Sequence, residues 1–203
     1  GSGSLPLADL AERTGLTRSA LQTRLDSLRG LGYGIETSPH QGCRLTSVPD
    51  VLHADDLISR LGPERRIVGR DIRVFQETTS TSDVAEKLAR DGVEEGVVVF
   101  AEAQSRGRGR LGRKWLSPAH KGLWFSVLLR PRLSPQAITQ LTVAAATALV
   151  RAIRQQVSVT PQIKWPNDVL VNGRKCAGVL TELHGELDAV HHAILGVGVD
   201  VNL

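Results

Sequence analysis

The stretch Val97-Val-Val-Phe100-Ala-Glu-Ala103-Gln-Ser-Arg106-Gly-Arg-Gly-Arg110-Leu-Gly-Arg-Lys-Trp115 decides how this chain is read. Its first half is a short apolar run of the kind buried in a sheet. Its second half is a glycine-rich basic loop, and Gly122-Leu-Trp-Phe-Ser-Val-Leu-Leu-Arg130 resumes the sheet pattern directly beyond it. Ser105 to Lys121 holds four Arg, two Lys and no Asp or Glu. Glycine lets the backbone approach a ligand closely. Backbone amides and guanidinium forks can then bind phosphate or carboxylate oxygens, and Trp115 offers a flat face for stacking a base. A strand–basic loop–strand unit of this kind points to a nucleotide or an activated acyl group.

Working outward, Ile72–Gln76 alternates as a strand and Thr78-Thr-Ser80-Thr81-Ser82 precedes a helical run over 83–90. Hydroxyls at a helix start serve equally well as caps or, with the first amides, as a polar ligand site. After Ser134-Pro135 a long helix is expected, with Ile138, Leu141, Ala145, Ala148, Leu149, Ala152 and Ile153 as its core face. Gln162–Asp168 reads as a strand end and turn. Val169–Val171 and Lys175–Leu183 are strands joined by Asn172-Gly173, a two-residue hairpin signal. A second hairpin near Gly185-Glu186 leads into His191–Asn202, where Gly196 and Gly198 within a strand mark close approach of a ligand or another backbone. His184, His191 and His192, at a turn and a strand start, are expected to be solvated.

The chain has 203 residues, a net charge of +4 and two cysteines, Cys43 and Cys176, far apart and without metal-ligand spacing. That length accommodates a small domain plus a medium one. The positive excess lies in the basic loop, so overall charge argues little for nucleic acid. No apolar run approaches the roughly 20 residues of a membrane span and no secretory signal is visible, so no membrane partner and a cytoplasmic setting are expected, the cysteines being isolated thiols. Gly1–Ser4 reads as a linker.

Residues 5–48 read differently. Leu7, Leu10 and Ala11 give one short helix ending at Thr14-Gly15. Thr17 is a plausible N-cap for a second helix carrying Ala20, Leu21, Leu25 and Leu28 and ending near Gly30 or Gly32. Tyr33–Thr37 and Cys43–Thr46 form a hairpin joined through Ser38–Gly42. Two helices across a glycine turn followed by a hairpin make a winged helix-turn-helix signature. Thr17, Arg18, Ser19, Gln22, Thr23 and Arg24 are then the groove-facing, DNA-binding set. Five Arg against four carboxylates over 1–48 leave this segment nearly neutral, so the pattern and not the charge carries the reading. Residues 49–70 read as a linker with a short helix at 54–61 ending at Gly62-Pro63. Residues 71–203 form the second domain.

Four motifs in order, Gly107–Trp115, Lys164-Trp-Pro-Asn-Asp168, Arg174-Lys-Cys-Ala-Gly178 and Gly196-Val-Gly-Val-Asp-Val-Asn202, resemble the bacterial biotin protein ligases. Those with an N-terminal winged helix, which act as both ligase and biotin operon repressor, resemble this chain from end to end. The resemblance implies an α+β fold: a winged helix-turn-helix plus a mixed β-sheet catalytic domain of the biotin/lipoate ligase type. It also implies that the catalytic domain is cut short at Leu203 and that a small C-terminal β domain is absent.

The implied activity is formation of biotinyl-5'-AMP from biotin and ATP, with Mg2+ accompanying ATP, then transfer of biotin to a lysine of a biotin carboxyl carrier protein. The implied partners are that carrier, operator DNA and a second copy in a ligand-promoted homodimer. By resemblance, Arg110 and Lys175 are catalytic. Ser80, Thr81, Ser82, Gln104, Gly107, Arg108, Gly109, Arg110, Lys175, Gly178 and Gly196 bind biotin. Arg113, Lys114, Trp115, Asn167 and Asn202 bind the nucleotide, and no residue is a metal ligand. Two positions depart from the family pattern: Ser82 stands where Asn is common, and Leu111 where a further Arg often sits. The competing readings are a lipoate-type ligase or acyltransferase of the same fold, which the basic loop and Lys164–Asp168 disfavour, and a non-ligating DNA-binding biotin sensor, which Arg110 and Lys175 disfavour.

Overall fold

The computed structural model describes residues 3–38, 42–62, 67–186 and 190–202. Pro39–Gln41 of the first expected hairpin, Pro63 after the linker helix, the tip of the last hairpin at 187–189 and the terminal residues lie outside them. The chain divides into two compact units, Gly1–Val51 and Leu52–Leu203, with the division falling inside the 49–70 segment.

In the first unit, α1 (Leu7–Thr14) stops at Gly15, whose φ of 66° is a left-handed C-cap. α2 (Arg18–Gly30) starts at Thr17, whose hydroxyl accepts the Ala20 N–H. Leu21 and Leu25 are its buried face. β1 (Gly34–Ser38) pairs antiparallel with β2 (Gly42–Ser47), and Leu5 exchanges two backbone hydrogen bonds with Cys43, at 2.9 and 2.7 Å. That contact needs glycine at position 42. Its φ is 78°, and a Cβ there would fall on the Leu5 carbonyl.

The second unit is built on one seven-stranded sheet. Its strands are β3 (Asp71–Thr78), β4 (Val97–Gln104), β5 (Gly122–Leu129), β6 (Pro161–Lys164), β7 (Asp168–Val171), β8 (Arg174–Gly185) and β9 (Val190–Asp200), in the order β3-β4-β5-β9-β8-β7-β6. Only β3 and β4 are parallel, joined through α4 (Thr81–Arg90); every other pair is antiparallel. α3 (Ala54–Leu61) packs on β3, and the Leu52 N–H donates to the buried Glu102 carboxylate at 2.6 Å. Asn172 and Gly173, with φ of 51° and 75°, turn the β7–β8 hairpin as expected.

Strand alternation sends neighbouring residues to opposite faces. On one face Ala85 and Ala89 of α4 pack with Val97, Val99, Leu128 and Ile194. On the other, α5 (Thr139–Gln156) seats Val150 against Val169 and Ala177, and Thr142 bonds Thr181 of β8 at 2.8 Å. α5 corrects one expectation. Its buried residues are Ala146 and Val150, while Ala148 and Ala152 are exposed. Alanines all round the helix blur the 3.6-residue periodicity, so contact with the sheet chooses the face. Gln136–Gln156 is also long and apolar enough to cross a membrane by length and composition alone. It packs instead along β6, β7 and β8.

Register positions the site. Thr78 lies opposite Gln104, at the ends of β3 and β4. Gly178, Gly198 and Trp124 fall in one cross-strand row, and Leu180, Gly196 and Ser126 in the next.

Candidate active site

Ser80, Thr81 and Ser82 begin α4 beside Gln104 and are almost fully buried, at 2%, 3% and 5% exposure. Ser80 is the cap, its hydroxyl accepting the Ser82 N–H. The Gln104 Oε1 accepts from the Thr81 backbone at 2.8 Å and from its hydroxyl at 3.1 Å, and Gln104 Nε2 donates to Ser117 Oγ at 2.8 Å. Ser126, fully buried in β5, lies 2.8 Å from the Thr81 hydroxyl and 3.0 Å from that of Ser82. Buried hydroxyls can each donate and accept, so this patch can meet a ligand's mixed donors and acceptors. Gly196 lies against it, where a Cβ would stand 3.0 Å from Ser82 Oγ.

The basic loop leaves β4 as a small hairpin. The Trp115 N–H donates to the Gly107 carbonyl and Gly109 to that of Arg113, and Leu111 and Gly112 form the tip at φ 58° and 71°. Trp115 then crosses the glycine row. A Cβ on Gly198 would stand 2.6 Å from its indole, and one on Gly178 3.1 Å from it. Its indole nitrogen is buried without a partner among the described residues. The ring meets Trp124 edge-on at 6.4 Å, and Lys175 Nζ sits 4.9 Å over it.

The loop's charge is partly answered by carboxylates. Arg108 makes a bidentate pair with Glu182, 3.0 Å at each contact, and a third bond of 2.6 Å to Asp83. Burial acts to lower its pKa, but bonds to Glu182 and then Asp83 outweigh that and hold the guanidinium above its ordinary value. Arg110 donates to Asn167 Oδ1 at 3.0 Å, while Asn167 is tied to Val179 through its side chain and backbone. Lys175 Nζ pairs with Asp168 Oδ1 at 2.7 Å, a charge contact without the alignment of a full hydrogen bond. Burial raises the Asp200 carboxyl pKa, with the nearby Lys175 charge partly opposing the shift.

One pocket is lined by Ser80, Thr81, Ser82, Gln104, Arg108, Gly109, Arg110, Trp115, Asn167, Lys175, Gly178 and Gly196. These sequence-selected residues are thus together, joined by Phe125 and by Gly198. Gly107 is buried behind the lining, against Trp115, Ser117 and Gln104. Arg113, Lys114 and Asn202 are exposed and outside it. Sequence reasoning missed Ser126, Asp83 and Glu182. The signal for Ser126 was a hydroxyl alone in an apolar strand. Among the described residues, no carboxylate is part of the pocket lining, and Asp168 beside it pairs with Lys175.

In the first unit Arg18 and Arg24 are exposed. The other members of the expected DNA-facing set are engaged locally: Thr17 caps α2 and lies 3.3 Å from Ser19 Oγ, Thr23 bonds the Ser19 carbonyl, and Gln22 bonds Asp26.

Residues 74–200 match the family described as biotin/lipoate A/B protein ligases. The chain belongs to that family. The Bacillus subtilis protein named bifunctional ligase/repressor BirA is 36% identical over 193 residues, 95% of this chain and 59% of that protein. Its Escherichia coli namesake is 30% identical over 95% of this chain and 58% of its own length. The chain therefore spans about three fifths of the length of these curated relatives. Among solved structures, the Aquifex aeolicus biotin protein ligase in complex with biotin and ATP superposes with a TM-score of 0.54 at 34% identity, over 66% of this chain and 53% of that one. The Leishmania major enzyme in complex with biotinyl-5-AMP gives 0.52 at 26%, over 66% and 58%.

Proposed function

We propose that the second unit activates biotin as its adenylate and is the catalytic part of a biotin protein ligase. One observation carries this reading: a single pocket has a buried hydroxyl and amide patch at one end, cations at the other and a glycine floor between. A cyclic urea presents two N–H donors and one carbonyl acceptor, which suits Ser80, Thr81, Ser82, Gln104 and Ser126. The acid tail would run toward Lys175 and Arg110. The indole N–H of Trp115, buried without a partner among the described residues, offers a donor to a ligand oxygen, and its ring a stacking face for adenine.

In the first step a biotin carboxylate oxygen attacks the α-phosphorus of ATP and pyrophosphate leaves. Two anions must meet and negative charge builds on phosphorus, so positioned cations lower the barrier. Lys175 and Arg110 hold the reacting oxygens, and Arg108, neutralised by Glu182 and Asp83, orders the loop. Magnesium would arrive on the phosphates of ATP, screening their charge. In the second step a lysine amine of a carrier protein attacks the acyl carbon and AMP leaves.

The first unit is proposed as a winged helix-turn-helix DNA reader, residues 5–48, with Leu5, β1 and β2 as its wing and the exposed Arg18 and Arg24 at the phosphates. The names of the Bacillus and Escherichia relatives, bifunctional ligase/repressor, support a repressor role, and its response to biotin is part of the same proposal. Binding of operator DNA, ligand-promoted homodimerisation and a cytoplasmic location belong to the same proposal. The test is mass spectrometry of the purified protein after incubation with ATP, magnesium and either biotin or lipoate. Retained biotinyl-AMP supports the reading. Lipoyl-AMP alone assigns the site to the other substrate of the family, and no adenylate with either removes the catalytic assignment.

A further inference from the structure

The expectation that the histidines near the last hairpin are solvated fails for His192, which is buried. We propose that Glu86, His184 and His192 form a binding site for one divalent transition-metal ion, zinc foremost, outside the lining of the adenylation pocket. The three residues come from α4, β8 and β9, and the β8–β9 register sets the two histidines directly opposite one another. Their rings stack face to face, with centroids 4.7 Å apart and planes within 7° of parallel. His192 Nε2 lies 2.7 Å and His184 Nε2 3.0 Å from the same oxygen, Oε2 of Glu86. The three donor atoms all fall within 4.8 Å of one another.

Two imidazole nitrogens and one carboxylate oxygen, with a fourth position left to water, are the donor set of three-ligand zinc sites. Bonds of about 2.0–2.1 Å to a tetrahedral ion put its ligand atoms roughly 3.3 Å apart, so the two nitrogen–oxygen distances have to open by roughly 0.3–0.6 Å and the two parallel rings have to turn so that both Nε2 lone pairs meet one ion. Exposure is graded: the side chains of His192 and Glu86 are 10% and 13% exposed, and that of His184 is 36%. The site is walled on its inner side and open to water beside His184. Arg90, itself exposed, holds the other Glu86 oxygen at 2.8 Å, which orients the carboxylate as an outer-shell partner does.

The proton inventory also closes. An ionised carboxylate only accepts hydrogen bonds, so without metal each Nε2 facing Oε2 carries its N–H. The ion takes the Nε2 lone pairs, and the displaced protons pass to Nδ1 or to solvent. An ion bound there ties the middle of α4 to the β8–β9 hairpin.

The site stands independently of the ligase reading. The test is titration of chelator-treated protein with Zn2+ against a chromophoric chelator, with Co2+ absorption reporting four-coordination. We expect one ion per chain, a Tm that rises with free Zn2+, and an affinity loss in His192→Ala exceeding the roughly 100-fold that removing an outer-shell partner costs. His184→Gln, on the open side, should lose affinity with an unchanged metal-free Tm, and it carries the test if His192→Ala does not fold. His191→Ala and the double variant Cys43→Ser/Cys176→Ser should bind as the parent does. No stoichiometric binding, undiminished affinity in His184→Gln, or loss confined to the His191 or cysteine variants would overturn the proposal.

Discussion

The two units present their functional side chains in opposite ways. In the larger unit the candidate ligand-binding hydroxyls are enclosed, three residues at 2–5% exposure and a fully buried serine, while the cations Arg110 and Lys175 beside them are exposed but tied to Asn167 and Asp168. In the smaller unit Leu21, Leu25 and Gly42 are the buried residues among those described, and its candidate contacts, Arg18 and Arg24, stand in water. An enclosed polar network is costly to leave half-satisfied, so its members constrain one another and point to a ligand. An exposed helix face carries no such constraint, and its role rests on pattern.

That contrast breaks most visibly under substitution at the pocket's cationic end. Lys175→Ala or Arg110→Ala should cut biotin-dependent adenylation by roughly 10²–10³-fold without changing DNA affinity, as read by pyrophosphate exchange and a binding isotherm on the same preparations. Near-parent exchange in both variants would strip them of their roles. The smaller unit should be the more fragile under a backbone change. Gly42→Ala sets a Cβ against the Leu5 carbonyl at a φ of 78° and should cost about 1–3 kcal/mol. Amide exchange should quicken over 5–47 and stay unchanged in the sheet; uniform slow exchange would mean that the Leu5–Cys43 pairing tolerates the change.

Smaller still, Arg18→Ala or Arg24→Ala should weaken DNA binding alike across sequences and reduce the salt slope by about 1, leaving exchange intact. A salt-independent or undetectable DNA affinity in the parent would remove the repressor half. The least effect is expected at Asp200. Its carboxyl pKa is raised by burial, so the stability tied to its protonated form is complete below its ordinary value of 3.8 and lost as pH rises through the raised value. Asp200→Asn should then raise Tm by a few degrees at most near pH 7 and by nothing near pH 3. An equal change at both pH values would place the effect elsewhere.

Much of the larger unit was legible because its signals are local. Asn172-Gly173 names its own turn, the apolar runs 97–103 and 122–130 name strands, and Gly196 and Gly198 announce close approach. Register then decided what local reading could not reach. Ser126 joins Thr81 across 45 residues and Arg108 meets Glu182 across 74, pairings that exist only once the strands are aligned. His192 looked like a solvated residue at a strand start until its register partner His184 and Glu86 of α4 closed over it. The buried face of α5 was hidden for a different reason, an alanine-rich helix being apolar on every side. In the smaller unit the helix boundaries were readable from Thr17 and Gly15, whereas the local bonds of Gln22 and Thr23 were not.

The measurement that most directly tests the central claim is ATP–pyrophosphate exchange by the purified 203-residue chain, with biotin, with lipoate and with neither. Exchange that depends on biotin, is not supported by lipoate and falls with Lys175→Ala is the predicted result. Exchange driven equally by lipoate, or none with biotin while the protein is folded, would contradict it.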